Sequence, residues 1–211
     1  MNEDQAIVVV IDDDVSVRES VEDLLHTVGL EVKSFATSRE FLQHKLPDAP
    51  GCIVLDVRLP GGSGLEFQKA LLNSKIQLPI IFISGHSDIP TSVRAMKSGA
   101  IDFLTKPLHE QELLDAVQTG IERDRTRRKE AEIVGKLRER LDSLTPREQE
   151  VLSLVIAGHP NKVIAAQLGM SEMTVKVHRS QIMRKMQAKS QIELARMADK
   201  LGVPPRQFAK D

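Results

Sequence analysis

The chain has 211 residues, a formal net charge of −1 and 41% hydrophobic residues, which is enough apolar content for a packed core. Its one cysteine, Cys52, excludes a disulfide framework and a zinc site built from several thiolates. Aromatic residues make up 3% of the chain, without Trp or Tyr, and this argues against a base-stacking surface for single-stranded nucleic acid.

The near-neutral total hides two regions of opposite charge. Residues 1–121 carry 10 Lys and Arg against 18 Asp and Glu, whereas residues 143–211 carry 11 against 6. We interpret this asymmetry as two domains with different partners, a metal or phosphoryl group for the acidic region and a polyanion for the basic one. Apolar runs are shorter than the ~20 residues of a membrane span and the first residues are acidic, so we expect a cytoplasmic protein without membrane contact.

Five apolar segments alternate with amphipathic segments over the first 121 residues. The first, 7–11, is apolar at every position, which is typical of a strand buried on both faces of a parallel sheet. The amphipathic segments repeat apolar residues at spacings of three and four, as helices do. The pattern predicts strands at 7–11, 32–35, 52–55, 79–83 and 101–104, and helices at 15–28, 38–45, 65–73, 89–98 and from about 110. Five such repeats predict an open, doubly wound α/β domain.

Polar side chains follow four of these strands where each strand ends: Asp12, Asp56, Ser84 and Lys106. Ligands of doubly wound sheets bind outside the carboxyl ends of the strands, so we expect these side chains to meet in one site. Three adjacent acids, 12–14, repel one another unless a cation lies among them, and carboxylate oxygens suit Mg²⁺.

The same four positions fit the chemistry of phosphoryl transfer. Asp56 is the natural carboxylate nucleophile, while Lys106 and Ser84 can bind phosphoryl oxygens. The alternative for each residue is structural, since Asp14 can cap the first helix and Lys106 can simply pair with an acid.

The middle of the chain predicts a helical linker. Residues 122–132 contain no large apolar side chain, and their charges are mixed in sign, which favours a solvated helix face. A helix from about 110 to 141 would span ~45–50 Å. Gly120 and Gly135 would weaken it and are candidate hinges. A coiled-coil seam over 133–144 is the alternative.

The last 69 residues predict short helices. Thr145-Pro146-Arg147-Glu148 has the pattern of a capping box with proline at the first helical position. A second helix over 162–168 would be capped by Asn161, and a third over 172–186 by Ser171; the short turn between them indicates a helix-turn-helix.

The third helix of this set has two distinct faces. Val175, His178, Ile182 and Met186 share one face, where we expect His178 to be a core residue. The opposite face carries hydroxyl, amide and cationic groups, which can read the major groove of DNA. Its members are Lys176, Val177, Ser180, Gln181 and Arg184. An ordinary amphipathic helix is the alternative.

The acidic half resembles the receiver domain of two-component response regulators over residues 5–122. The motifs that carry the resemblance are Asp12-Asp13, 54–60 (VLDVRLP), Gly64, Ser84-Gly85 and Lys106-Pro107. This resemblance implies a flavodoxin-like fold with a five-stranded parallel sheet in the order 2-1-3-4-5. It also implies that a sensor histidine kinase phosphorylates Asp56.

The resemblance further implies how the site is composed. Asp13, Asp56 and the backbone carbonyl of Arg58 would bind Mg²⁺ (or Mn²⁺), with Asp12 reaching the metal through water. Lys106 and Ser84 would hold the phosphoryl oxygens, and the peptide bond before Pro107 would be cis. The conformational switch would consist of Ser84 and Phe103, although Phe103 has core packing as an equal alternative.

The basic half resembles the LuxR-type helix-turn-helix domain. The residues that carry this resemblance are 144–152 (LTPREQEVL), Gly158, Asn161-Lys162, Ile164-Ala165, Leu168, Ser171, 174–178 (TVKVH) and Lys185-Met186. By this resemblance Lys176, Val177 and Ser180 would contact bases. Phosphate contacts would come from Asn161, Lys162, Thr174 and Lys185, with Arg184 on the same exposed face.

Together the two resemblances indicate a response regulator of the FixJ/NarL type, and of the FixJ branch in particular. The expected organisation is a receiver domain at 5–122, a helical linker at 123–141 and an all-α DNA-binding domain at 142–206. Such a protein would form a homodimer on phosphorylation and bind double-stranded promoter DNA. It would regulate transcription, by resemblance as an activator, with RNA polymerase as a further candidate partner.

Two other hypotheses compete with this one. The acids 12–14 superficially match the nucleophile motif of haloacid-dehalogenase-like phosphohydrolases, in which Asp12 would attack a phosphoester. That motif has Thr or Val where this chain has Ser16, and no cap domain is recognisable. The third hypothesis is a DNA-binding protein whose receiver domain is only a docking module and accepts no phosphoryl group.

Overall fold

The computed structural model describes residues 5–72, 76–86 and 89–206. Their contacts divide the chain into two compact units, Met1–Arg128 and Lys129–Asp211, which we call unit 1 and unit 2. The sequence placed the end of the first domain at residue 122. Unit 1 extends to Arg128 because three charged residues at 124, 127 and 128 bind within it, as described below.

Unit 1 alternates strands and helices as predicted. Its elements in chain order are β1 (Ile7–Ile11), α1 (Val15–Thr27), β2 (Glu31–Phe35), α2 (Ser38–Gln43), β3 (Gly51–Asp56), β4 (Arg58–Leu59), β5 (Gly62–Ser63), α3 (Gly64–Leu72), β6 (Ile80–Ser84), α4 (Ile89–Lys97), β7 (Asp102–Thr105) and α5 (Glu110–Asp142), which continues into unit 2. The last residue of the predicted helix 65–73 lies outside the described residues.

The main sheet has five parallel strands in the order β2-β1-β3-β6-β7, so the predicted order 2-1-3-4-5 is confirmed. The short strands β4 and β5 form a separate antiparallel pair in the glycine-rich turn after β3. The sequence predicted a turn there but not its pairing.

The central strands are apolar at every position because each face of the sheet has its own core. Val8 and Val10 of β1 pack in the core that contains residues of α1 and α5. Val9 and Ile11 pack in the core that contains residues of α2, α3 and α4. Successive side chains of a strand point to opposite faces, so a sheet covered on both sides needs uninterrupted apolar strands.

Gly120 permits close packing of α5 rather than forming a hinge. A Cβ at this position would lie 2.8 Å from the Cβ of Cys52 in β3, so a larger side chain would force α5 away from the sheet. Cys52 itself is fully buried, and burial raises the pKa of its thiol to about 12. It is a core residue, as an apolar strand context predicts.

A buried carboxylate fixes α5 to the end of β3 that lies away from Asp56. Asp124 is fully buried and accepts hydrogen bonds from the backbone N–H of Gly51 at 3.1 Å, from Arg127 and from Arg128. Arg128 also donates to Asp48. The solvated face predicted for this segment is therefore wrong at Asp124, whose charge is compensated inside unit 1.

Unit 2 is built from the end of α5 and four helices: α6 (Pro146–Ile156), α7 (Asn161–Leu168), α8 (Glu172–Met186) and α9 (Gln191–Lys200). The capping box of α6 is present, with Thr145 and Glu148 bonded reciprocally. Between α7 and α8 the chain turns at Gly169, whose φ of 64° favours glycine, and Ser171 caps α8. This pair of helices confirms the predicted helix-turn-helix.

Two details of the second half differ from the sequence predictions. Pro160, not Asn161, is the N-cap of α7, and Asn161 is its first helical residue. Leu137, Leu141 and Leu144 lie in the core of unit 2, so the coiled-coil alternative for 133–144 is wrong. Within the described residues, no helix combines the length and apolarity that crossing a membrane requires.

Candidate functional site

Lys106 joins the acids of two strands at the carboxyl edge of the main sheet. Its Nζ donates to Asp12 Oδ2 at 2.6 Å and to Asp56 Oδ2 at 2.5 Å. Asp12 follows β1, Asp56 ends β3 and Lys106 follows β7, so three segments far apart in sequence meet here. The prediction that these strand ends converge on one site is confirmed for these three residues.

Burial and neighbouring charges shift the pKa of Asp12, the acid that follows β1. Asp12 is fully buried, and its Oδ1 accepts a hydrogen bond from the backbone N–H of Asp14 at 2.9 Å. Burial raises the pKa of Asp12, and the charge of Asp56 adds to this, although the bond from Lys106 opposes it. The pKa of Lys106 is also raised: burial alone would lower it, but its bonds to both carboxylates outweigh that effect.

Asp56 is held at a defined position in the turn after β3. Its Oδ1 accepts a hydrogen bond from the backbone N–H of Arg58 at 2.8 Å, and the residue is 6% exposed. Gly64 packs directly against the backbone of Asp56, and only glycine fits there, because a Cβ at this position would lie 2.3 Å from the backbone oxygen of Asp56. The glycine of the sequence motif thus permits a close approach of two backbone segments.

The acids outnumber the cations at this edge. Asp12, Asp13 and Asp56 each offer a carboxylate oxygen, and these atoms lie within 4.8 Å of one another. The cations that contact these residues are Lys106 and Arg18, whose Nη1 donates to the backbone carbonyl of Asp12 at 2.6 Å. Asp13 is exposed and Asp14 caps α1 by accepting from Ser16. A cluster of hard oxygen ligands with unbalanced negative charge fits a divalent cation such as Mg²⁺ or Mn²⁺.

The predicted switch residues are near this edge but make other contacts. Ser84 ends β6, and its Oγ donates to the carbonyl of His86 at 2.7 Å and accepts from the N–H of His86 at 3.2 Å. Phe103 in β7 is half-buried, and its ring packs against Phe82 with a centroid distance of 6.3 Å. The Ser84 hydroxyl is therefore not hydrogen-bonded to Asp56 or to the Lys106 side chain, although the backbone N–H of Lys106 donates to the carbonyl of Ser84 at 2.8 Å.

In unit 2, α8 presents the exposed face that the sequence predicted. Val175, Ile182 and Met186 are buried, and His178 is half-buried between the two faces. Val177 is 51% exposed, which is unusual for a valine in a well-packed domain and leaves its methyl groups available for an apolar contact. The other predicted contacts that lie exposed are Lys162, Thr174, Lys176, Ser180 and Arg184.

Lys185 has a structural role that the sequence did not reveal. Its Nζ donates to Glu148 Oε2 at 2.6 Å and to the carbonyl of Ser143 at 3.2 Å. Burial of Glu148 raises its pKa, but the bonds from Lys185 and Thr145 outweigh this, so the net pKa is lowered. Since this lysine neutralises a buried acid, the geometry does not support the prediction that it contacts phosphate.

Asn161 lies at the start of α7 with its side-chain oxygen already bonded. Its Oδ1 accepts from Arg179 Nη1 at 3.1 Å, and Arg179 also donates to Gln191 Oε1 at 2.9 Å. Sequence reasoning did not identify Arg179, because its partners lie on other helices.

Two family models match this chain. The model of the response regulator receiver domain matches residues 8–118, and the model described as bacterial regulatory proteins of the luxR family matches residues 142–198. Nodulation protein W of Bradyrhizobium diazoefficiens is 52% identical over 199 residues, which cover 94% of this chain and 88% of that protein. The chain belongs to the LuxR/FixJ family of response regulators.

Further relatives agree with this family. Transcriptional regulatory protein FixJ of Azorhizobium caulinodans is 42% identical to this response regulator over 196 residues, which cover 93% of each chain. A solved structure of the response regulator StyR superposes with a TM-score of 0.82 at 47% identity, covering 93% of this chain and 99% of that one. The predicted family and fold class are confirmed.

Membership of the family excludes one of the three hypotheses. A response regulator with a receiver domain and a LuxR-type domain is a regulator of transcription and not an enzyme, which excludes the phosphohydrolase. Its receiver domain implies a histidine kinase as partner, and its LuxR-type domain implies DNA binding.

Proposed function

We propose that this response regulator is phosphorylated on Asp56 by a sensor histidine kinase. The observation that carries the proposal is the bridge from Lys106 Nζ to both Asp12 and Asp56 at the carboxyl edge of the sheet. An ammonium group beside the acceptor carboxylate stabilises negative charge on an incoming phosphoryl group, and it remains bound to the product.

Phosphoryl transfer to Asp56 exchanges one bond to phosphorus for another. A carboxylate oxygen of Asp56 attacks the phosphorus of a phosphohistidine, the O–P bond forms, and the P–N bond breaks with its electron pair left on the imidazole. Lys106 exchanges its bond to Asp56 Oδ2 for a bond to a phosphoryl oxygen. The backbone N–H of Arg58 holds Asp56 Oδ1, which orients the carboxylate for attack.

We assign the metal site to Asp13, Asp56 and the carbonyl of Arg58, with Asp12 acting through water. The donor set favours Mg²⁺ or Mn²⁺, since all ligands are oxygens and the acids outnumber the cationic side chains that contact them. When bound, the cation offsets the charge of the phosphoryl group. Asp12 and Asp13 differ in their roles, because Asp12 is fully buried and bonded to Lys106 while Asp13 is exposed.

Ser84 and Phe103 form the switch in this proposal. The Ser84 hydroxyl leaves the carbonyl of His86 and donates to a phosphoryl oxygen, which shifts the loop after β6. Phe103 pairs with Phe82 across β6 and β7, so a change at β6 reaches its ring directly.

The surface of α4 and β7 is the proposed dimer interface. Ile89, Val93 and Met96 of α4 are 79%, 44% and 45% exposed and follow one another at helical spacing. Ala95 of the same helix is fully buried and lies outside this surface. Two linked DNA-binding domains gain avidity, often 10²–10⁴-fold, so dimerisation raises promoter affinity.

Promoter binding by α8 completes the proposal. Lys176, Val177 and Ser180 contact bases in the major groove, while Asn161, Lys162, Thr174 and Arg184 contact the backbone. The protein acts in the cytoplasm, where promoter DNA is, and it activates transcription together with RNA polymerase.

The test uses the full chain, Mg²⁺ and acetyl phosphate. Mass spectrometry should find one added phosphoryl group on the wild type and none on Asp56→Asn, and phosphorylated wild type should bind a duplex selected from random sequence more tightly. Asp48→Asn is the matched control, because Asp48 is 96% exposed in its side chain and lies outside the site. Full incorporation into Asp56→Asn would contradict the proposal, and an unmodified wild type would favour the docking-module hypothesis.

A further inference from the structure

Arg179 lies at the centre of a chain of hydrogen bonds that ends on Asn161. The chain begins at the backbone carbonyl of Val155, which is 3% exposed and accepts from Gln191 Nε2 at 2.8 Å. Gln191 Oε1 accepts from Arg179 Nη2 at 2.9 Å, and Arg179 Nη1 donates to Asn161 Oδ1 at 3.1 Å. Asn161 is thus linked through Arg179 of α8 and Gln191 of α9 to the backbone of Val155 in α6.

The chemistry of this chain orients both carboxamides. A guanidinium has N–H donors and no acceptor, so only the oxygen of an Asn or Gln side chain can face it. The NH₂ group of Asn161 must then lie on the opposite side of the carboxamide, away from Arg179. Among the described residues of unit 2, no hydrogen bond uses this NH₂ group, while the oxygen is engaged.

We propose that Arg179 is a positioning residue for DNA binding, which turns the NH₂ group of Asn161 outward to donate to a backbone phosphate. This inference rests on the proposed function, in which Asn161 contacts the DNA backbone. It adds that the contact depends on Arg179, which touches no DNA itself, and that the donor is a neutral amide.

A neutral donor predicts a specific signature in salt titrations. A cation that neutralises a phosphate adds about 0.9 to the slope of log affinity against log salt, because a counterion is released. Neither Arg179 nor Asn161 neutralises a phosphate in this proposal. Their loss therefore weakens binding without changing the slope, whereas loss of the exposed Lys162 changes both.

The experiment is a double-mutant cycle on the full chain. Binding to a mixed-sequence 30-base-pair duplex is measured by fluorescence anisotropy at several salt concentrations, since phosphate contacts do not need an operator. Arg179→Met and Asn161→Ala should each weaken binding by about fivefold, the range of a single hydrogen bond, and the double variant should be no weaker than either. Arg179→Met combined with Lys162→Ala should show additive losses.

A second comparison separates positioning from a general structural role. Gln191→Ala removes the other bond of Arg179 but leaves its bond to Asn161, so this variant should keep at least half of the wild-type affinity. Thermal unfolding of each variant, followed by circular dichroism, shows whether unit 2 remains folded.

Four results would overturn the inference. A slope that falls by about 0.9 in Arg179→Met would place the guanidinium on a phosphate. Additive losses for Arg179 and Asn161, or an Asn161→Ala variant with wild-type affinity, would remove the link between them while DNA binding by the protein stands. A wild type that binds no duplex would contradict the proposed function as well.

Discussion

The two ends of β3 use buried carboxylates in opposite ways. At the carboxyl end, the buried Asp12 and Asp56 share Lys106 and the exposed Asp13 lies close to them, so negative charge is in excess. At the other end, Asp124 accepts from two arginines and a backbone N–H, so its charge and its hydrogen bonds are fully matched.

The difference shows how one strand can carry a binding site at one end and a fixed ion cluster at the other. An excess of like charge makes a site that binds a cation and responds to a new anion, because its partners can be exchanged at low cost. A matched buried ion cluster is expensive to disturb, since removing one partner leaves an uncompensated charge or an unpaired donor. We therefore expect substitutions at the Asp124 end to lower the free energy of unfolding, and substitutions at the Asp56 end to change cation binding.

The largest expected effect concerns Asp124. Asp124→Ala should lower the free energy of unfolding of unit 1 by about 3 kcal/mol, because two arginines and the Gly51 N–H lose their acceptor. Asp124→Asn should cost less, since its amide oxygen can still accept from Gly51. Urea unfolding of the full chain followed by fluorescence of an attached dye measures both.

Glu132→Gln is the matched control on the same helix. Glu132 and Lys136 form an exposed ion pair, and their side chains are both 62% exposed, so this change should leave the free energy of unfolding nearly unchanged. Equal losses for Asp124→Ala and Glu132→Gln would show that burial of Asp124 has no energetic consequence.

The next effect concerns cation binding at the acid-rich end. Mg²⁺ at one hundred times its dissociation constant should stabilise unit 1 by about 2.7 kcal/mol, because it binds the folded acids and not the unfolded chain. Asp13→Asn should remove this gain yet leave stability without metal nearly unchanged, since the exposed side chain of Asp13 makes no hydrogen bond among the described residues. Thermal unfolding with Mg²⁺ or with EDTA measures the gain, and an equal gain in Asp13→Asn would exclude Asp13 as a ligand.

The smallest effect is a dependence on pH. The pKa of Asp12 is raised from 3.8 in the folded state by burial, so the folded chain binds this proton more tightly than the unfolded chain. Stability from this group is present below pH 3.8 and is lost as the pH rises through the folded-state pKa. Without metal, Asp12→Asn should therefore gain stability relative to wild type as the pH rises over that window. A constant difference in urea titrations at each pH would contradict the assignment.

Local sequence patterns predicted the acid-rich end of β3 at Asp56 well, but they did not predict the ion cluster around Asp124 at its other end. Asp12, Asp56 and Lys106 each follow an apolar strand, and the rule for parallel sheets places strand ends together, so their meeting needed no long-range information. Asp124 stands in a run of mixed charges whose pattern is that of a solvated helix. Its burial depends on Gly51 and Asp48, more than 70 residues away, and no local pattern records that contact.

The same limit applies to unit 2. The turn at Gly169 and the caps Thr145 and Ser171 are local signals, and the structure confirms them. Lys185 looks like a surface lysine in the sequence, but Glu148 lies opposite it in the fold and takes its charge. Side-chain roles that depend on another helix therefore had to be read from the structure.

The most direct test of the account is amide hydrogen exchange, read residue by residue by NMR, with Mg²⁺ and with or without excess acetyl phosphate. Phosphorylation should change the exchange rates of the backbone N–H groups of Arg58, which is bonded to Asp56, and of His86, which is bonded to Ser84. The exchange rate of the Gly51 N–H, which is bonded to Asp124, should stay unchanged. Asp56→Asn should show no response at any of the three. A response at Gly51 as large as at Arg58, or no response at Arg58 and His86 in phosphorylated wild type, would contradict the claim that one end of β3 switches while the other is fixed.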